Sequence, residues 1–458
     1  MTRIFFISSI LLLFILAYIS LPYLETATFF LLISFTLLCF LPIVLKRDFN
    51  WKNLSIHSPD IITGFVFFVY MGYGTYVMYA FPDLRRNSSV NNQSLFNALI
   101  FCYFSLLLLY IGFYNRLNLR INLFPFYKKV KLIDSPWIIL YFFLLGLFGK
   151  TIEIFSGYYY LVQVNSIIPY YEPNSFFGFA NFGPILSLFS IFSFLYSFYL
   201  YNLTKRKVYL IYFLLIFIFE ILVGFPTGSK EKLIKPVVYF ILYLSLMQKL
   251  SLKFVLSFVV IVVFFVFPFV TLYRSSGNDF SNFLTSYFNK ENFSYSEGRS
   301  MEIGNRLSGV AIVASVIDQT PSVHDYTYGR DYLNTFLALI PRVFWPDKPI
   351  VLDHNAFGRK YNLVSPNDFV TSVTPYWFGE AFINFSYFGV FVGIFYGLFL
   401  KNLSNIYYRN PNIMSIFIML MTIYIYSRHS QFVATIMGVL QGYVLIVFAS
   451  LPFLYRVK

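Results

Sequence analysis

The stretch IYIYSRHSQFVATIM, residues 423–437, sets Arg428 and His429 between two apolar runs. Which side of a membrane this turn faces decides how the whole chain is read. Of the 458 residues, 58% are hydrophobic and only 12% are charged, with a mean hydropathy of +0.67. A water-facing globular surface needs about twice that charge, so the composition predicts an all-α polytopic membrane protein. The formal charge of +14 sits mainly in short loops between apolar runs, which points to membrane orientation and away from nucleic acid. Cys39 and Cys102 lie in separate apolar runs and suggest neither a disulfide framework nor a metal site.

Runs long enough to cross about 30 Å of hydrocarbon fall at 4–21, 27–45, 61–80, 94–114, 135–151, 181–201, 208–225, 233–248, 253–273, 378–400, 412–427 and 430–450. The first resembles a signal peptide but lacks a small-x-small cleavage site, so it reads as an uncleaved span. With about 12 spans, one side collects the basic residues: Lys46, Arg47 and Lys52; Arg116, Arg120, Lys128, Lys129 and Lys131; Lys205–Lys207; Lys249 and Lys253; Lys401 and Arg409; Arg456 and Lys458. The positive-inside rule makes that side, with both termini, cytoplasmic. Trp51 and Trp137 on the inner side, and Trp345 and Trp377 on the outer, read as interfacial anchors.

The organisation expected is a transmembrane bundle over 1–273, one large outer loop over 274–377, and the last three spans over 378–458. A loop that long is functional more often than it is a mere connection. Within it MEIGNRLSGVAIVASVID (301–318) puts Ile303, Leu307, Val310, Ala314 and Ile317 on one helical face, predicting an amphipathic helix on the outer leaflet or capping the bundle. DYLNTFLALIPRVFWPDKP (331–349) predicts a second helix, stopped at Pro341. There is no internal repeat.

Basic residues near outer span ends run against the positive-inside rule and call for a reason. They are Lys230 and Lys232 after span seven, Arg274 at the end of span nine, Arg299 and Arg306 around the first loop helix, Arg330 and Arg342 around the second, and Arg428 with His429. Taken singly, each has an ordinary role. Arg428 can snorkel or cap a helix, the lysines can pair with Glu231, and Arg306 can pair with Glu302 one turn away. His324 is an ordinary solvated loop residue, and Glu220, inside span seven, is expected to pair with Lys235 or an arginine. As a set, they suggest a site for an anionic ligand, arginine being suited to phosphate. CxxC, HExxH, GxSxG and Walker patterns are missing, and the first outer loop (22–26) holds a single acid, Glu25.

Three further stretches carry a resemblance: PTGSKEKLI (226–234), IPRVFWPDKP (340–349) and TPYWFGEAFINFSYFGVFVG (374–393), the last with Gly379, Glu380, Asn384, Phe385 and Gly389. With the span number and the late outer loop, the chain resembles the O-antigen polymerases (Wzy type), the oligosaccharide repeat-unit polymerases. It departs from them at Lys230, where many have arginine, and at Ser386, where glycine is frequent. The resemblance implies a glycosyltransferase of the bacterial inner membrane working at the outer leaflet. Its donor is a glycan on undecaprenyl diphosphate and its acceptor a lipid-linked repeat unit; a chain-length regulator and a flippase are the implied protein partners. It implies a diphosphate clamp drawn from Arg274, Arg306, Arg342, Arg428, Lys230 and Arg299, with no metal or cofactor needed where arginines supply the charge. Glu380 is the implied base for the acceptor hydroxyl, followed by His324 and His429. Other readings of the same features are an O-antigen ligase with a lipid A-core acceptor, a lipid-linked oligosaccharide flippase or other transporter, and a structural partner in polysaccharide assembly. Neither the sugars nor the product (O-antigen in lipopolysaccharide, capsule or exopolysaccharide) follows from the sequence.

Overall fold

The computed structural model describes residues 2–45, 58–82, 90–115, 130–132, 135–155, 183–227, 229–247, 250–262, 266, 269–270, 273, 309–338, 345, 354–368, 371–409, 413–427 and 431–456. These are helical apart from one two-stranded ladder. In chain order the elements are α1 (Thr2–Ile19), α2 (Leu24–Leu45), α3 (Pro59–Ala80), α4 (Asn92–Tyr114), β1 (Val130–Leu132), α5 (Trp137–Phe155), α6 (Gly183–Thr204) and α7 (Lys207–Gly224). There follow α8 (Lys230–Leu246), α9 (Leu252–Ile261), α10 (Gly309–Gln319), α11 (Arg330–Ala338), α12 (His354–Lys360), α13 (Tyr376–Phe385), α14 (Val392–Arg409), α15 (Ile413–Ser427), α16 (Phe432–Ser450) and β2 (Leu454–Arg456).

Eight helical segments among the described residues are long and apolar enough to cross a membrane: α2 to α7, the segment 376–405, and 434–453. Shorter helices, α1, α8, α9 and α15, overlie the other apolar runs. Buried apolar side chains form two large clusters. One joins α1–α4, α10, α13 and the middle of α14; the other joins α5–α8, α15 and α16. Outward faces such as Leu11, Leu12 and Ile15 of α1, or Leu214, Leu215 and Leu222 of α7, stay exposed, as lipid contact requires.

Lipid is as apolar as leucine, so helix pairing in a membrane depends on close packing. Glycines supply it here. A side chain at Gly393 of α14 would meet Ser105 O of α4 at 2.5 Å, and one at Gly397 would come within 2.7 Å of Phe113 N and closer to Leu109 O. The four-residue spacing lets α14 lie directly on α4, both running in the same direction. Gly146 and Gly149 of α5 give an equally close approach to Ser190 and Ser187 of α6, which runs antiparallel to α5.

Helix ends that the charge pattern assigns to one side meet in the fold. Lys401 Nζ donates to Asn115 O, Tyr114 Oη donates to Asp60 Oδ2 at 2.6 Å, and β1 pairs antiparallel with β2. Away from that face Tyr424 donates to Glu231, and the far ends of α5 and α7 and the start of α8 are joined by ion pairs.

Four expectations need correction. Glu220 pairs with Lys150 of α5 at 3.0 Å, not with Lys235, which lies 5.2 Å from the centre of the Tyr424 ring. Lys232 pairs with Glu153 of α5 at 3.2 Å, a partner that the expected pairing with Glu231 did not include. The first loop helix has no solvent or lipid face. α10 is buried on every side except at Asp318, because its second face is built of Ala311, Val313, Ser315 and Val316 and packs as readily as the first. It begins beside Tyr70, halfway along α3 at a π turn (Phe68–Tyr73), and ends where Asp318 meets Ser94 at the start of α4. It is therefore a short helix inserted into the bundle from one face. Residues 301–308 lie outside the described part.

The fourth correction concerns span ten. The apolar segment 376–405 is not one helix. Trp377 packs on Tyr396 with ring centres 5.3 Å apart, and a side chain at Gly389 would lie 3.1 Å from Phe382 N. Residues 19 apart on one helix would be roughly 28 Å apart. The chain reverses at Phe385–Ser386, where Ser386 has φ 55°, passes a 3-10 stretch (Ser386–Phe391), and returns as α14. α13 is thus a second inserted helix, with its first turn deep in the bundle. Trp377 is accordingly 3% exposed and no interfacial anchor, while Trp137, 70% exposed at the start of α5, has the expected position.

Candidate functional site

The two inserted helices pack on each other and carry polar groups into the bundle. Glu380 in the middle of α13 is 3% exposed. Its Oε2 accepts the Phe432 N–H of α16 at 2.6 Å, a carboxylate on the otherwise unsatisfied donors of a helix N-terminus. Four residues on, one helical turn, Asn384 is fully buried. Its Nδ2 donates to Asp331 Oδ2 at 2.9 Å and to Glu380 O at 2.8 Å. Thr327 Oγ1 lies 2.7 Å from Asn384 Oδ1 and 2.9 Å from Asp331 Oδ2, and its single proton serves one of them. Thr327 N–H also donates to Ile383 O at 3.0 Å. This cluster locks the start of α11 onto the end of α13.

Tyr332 of α11, next in the chain after Asp331, packs beside this cluster. Its ring stacks on Phe385 at 5.4 Å and packs on Phe432 at 5.5 Å. Burial, and after it the Glu380 and Asp331 carboxylates, push its phenol well above the ordinary range, so it stays a neutral donor. Deeper in, Tyr396 is hydrogen bonded to Thr435 and packs on Phe432 at 4.9 Å, and Tyr426 shares a hydrogen bond with Thr63. α13, α11, the start of α16 and the end of α15 therefore meet around Glu380 and Phe432.

Of the expected site residues, Arg274, Arg299, Arg306, Arg342, Arg428 and His429 lie outside the described residues. Lys230 begins α8, behind the cap in which Ser229 Oγ accepts Lys232 N–H, and its side chain is also outside the described part. Glu380 sits against the first residue of the helix that follows the Arg428–His429 turn. His324 is elsewhere. Its Nε2 bonds Lys360 O at 2.7 Å and its ring meets Tyr361 edge-on at 4.9 Å, and no contact among the described residues joins it to Glu380. It pins the loop before α11 to α12.

Sequence reasoning missed Asp331, Thr327, Tyr332 and Gln431, and it missed Lys150 and Glu153. The signal for the last two was there: two opposite charges three residues apart, inside an apolar run. For Asp331 nothing short of the fold brings it to Asn384.

A family described as a domain of unknown function (DUF8712) matches residues 160–407, more than half of the chain, and includes α13 with Glu380 and Asn384. No curated protein matches the chain, and no solved structure does. On the extent of that match, the chain belongs to the DUF8712 family.

Proposed function

We propose that the chain is a membrane glycosyltransferase that polymerises undecaprenyl-diphosphate-linked repeat units into surface polysaccharide. In this reading the chain crosses the inner membrane about 12 times, with the basic face cytoplasmic and Glu380 reached from the outer side. The observation that carries it is the pair of helices, α10 and α13, inserted into the bundle from one face, which sinks a carboxylate and a polar network to membrane depth. A lipid-linked substrate keeps its diphosphate at the head-group level and its sugars just above, so a reaction centre recessed from one face suits it.

The reaction forms a bond between an acceptor hydroxyl oxygen and the donor's anomeric carbon, and breaks that carbon's bond to the diphosphate oxygen. The hydroxyl proton goes to a base, and undecaprenyl diphosphate leaves with the bonding pair. We assign Glu380 as the base and the basic residues of the outer face, Arg428 and Arg274 foremost, to the leaving diphosphate, where pre-placed charge lowers the barrier. The Phe432 N–H fixes the Glu380 carboxylate in place.

The deciding experiment is deletion of the gene with gel analysis of the surface glycan. A polymerase loss leaves single capped repeat units. Uncapped core with accumulated lipid-linked polymer would identify a ligase, and an unchanged glycan would end the proposal. Arg428→Ala and Arg274→Ala should each abolish long chains at normal protein level; full chain length in both would remove the clamp.

A further inference from the structure

Two buried polar atoms next to Phe432 have no hydrogen-bond partner among the described residues. One is the Tyr332 hydroxyl. The other is Gln431 Oε1, on the residue that precedes α16 and makes no side-chain cap. Both flank the Glu380–Phe432 contact, since the Tyr332 ring lies on Phe432 and Gln431 is its neighbour. An unpaired buried polar group is destabilising, and phenylalanine at 332 would fill the same stack without it. Such groups persist where a ligand completes them.

The chemistry of the surroundings restricts the ligand. Glu380 and Asp331 stand within electrostatic reach of the Tyr332 hydroxyl, which disfavours an anion. A phenol donor and a carbonyl acceptor, both on residues next to Phe432, suit a ligand whose adjoining groups can both accept and donate. Phe385, 40% exposed and stacked on Tyr332, leaves aromatic surface on which the C–H groups of a ring can pack. A sugar ring with vicinal hydroxyls meets all three conditions.

We propose that Tyr332 and Gln431 form a saccharide subsite, the tyrosine donating to one hydroxyl of a sugar ring and the Gln431 carbonyl accepting from its neighbour. This rests on the reading of the surroundings of Glu380 as the place where glycan is handled, and it specifies which side chains hold the sugar.

The test uses the full chain in lipid nanodiscs, as wild type, Tyr332→Phe and Gln431→Met. Thermal unfolding is followed alone and with free hexoses, N-acetylhexosamines and 6-deoxyhexoses titrated to the hundred-millimolar range. At least one sugar should stabilise the wild type, and each variant should bind it about 3- to 10-fold more weakly, the loss of one neutral hydrogen bond. Without sugar, Tyr332→Phe should melt at the wild-type temperature or above. Three results would overturn the subsite: no response of the wild type to any of these sugars, equal responses in wild type and Tyr332→Phe, or a marked drop in the sugar-free melting temperature of Tyr332→Phe. The last would mean that the hydroxyl holds the fold, for instance through a bound water. Gene deletion separates the two proposals. An unchanged surface glycan with a positive titration sinks the polymerase and keeps the subsite; single repeat units with a negative titration do the reverse.

Discussion

Replacing Lys150 by methionine isolates the energetics of the ion pair between α5 and α7. At 3.0 Å two unit charges attract by roughly 5.5 kcal/mol gross at an effective dielectric of about 20. Most of that is offset by desolvation, so the pair adds little net stability. Removing one partner is a different matter, because it strands the other. Glu220 is 5% exposed and its Oε1 already has no partner among the described residues, whereas Lys150 is 16% exposed. Losing the lysine should therefore cost about 3 kcal/mol, the low end of the range for broken buried pairs, since water reaches the site. Glu220→Leu should cost about half as much, because a lysine stem can carry its ammonium outward. The double variant Lys150→Met with Glu220→Leu should return to within about 1 kcal/mol of wild type, apolar groups having replaced both charges. The assay is reversible SDS unfolding in micelles, read as a double-mutant cycle. Additivity within about 0.5 kcal/mol would show that the two side chains do not interact and would refute the reasoning.

Glu380→Gln keeps an oxygen for the Phe432 N–H, so the protein should stay folded while glycan polymerisation is lost; a wild-type rate would remove Glu380 as the base. Glu380→Ala should in addition lose about 1 kcal/mol of stability in SDS unfolding, the usual effect of deleting a helix cap. Gly397→Leu should abolish stable folding, because its side chain points at the backbone of α4, which cannot yield, and Gly393→Ala should cost about 1–3 kcal/mol; normal thermal stability of Gly397→Leu would contradict the packing. Asn384→Leu leaves Asp331 without its 2.9 Å donor and should cost about 1–3 kcal/mol, visible as a lowered melting temperature.

Much of the bundle was legible because hydropathy and charge act locally. Runs such as 94–114 and 208–225 became α4 and α7 within a few residues, and the helix ends that share a face are those the loop charges grouped. What hydropathy cannot carry is direction. The run beginning at 376 is apolar throughout, so nothing in its composition marks the reversal at Ser386, which depends on one residue with positive φ and on Gly389 lying against α13. The first loop helix failed for a related reason. Its large residues fall at helical spacing, but small residues on the other face are as readily buried inside a membrane bundle as exposed to water. Glu380 was named through the resemblance of 374–393 and its place at the mouth of a span, and its position in the chain was legible. Its surroundings were not, since Asp331, Asn384 and Phe432 come from three separate parts of the chain and meet only through packing.

The fold-back of α13 also bears on how the protein is made. α13 rests on α4, nearly 300 residues earlier, and on α10, but the Phe432 N–H that Glu380 accepts lies more than 50 residues later. During synthesis, α13 leaves the ribosome before that donor exists. The segment can enter the bilayer on hydropathy alone, yet its contact with α16 forms only after the last helix has been inserted beside it. A nascent chain halted before α16 would therefore carry the catalytic carboxylate proposed here without the geometry to use it, and partly built copies in the membrane should be silent toward any lipid-linked sugar that passes them.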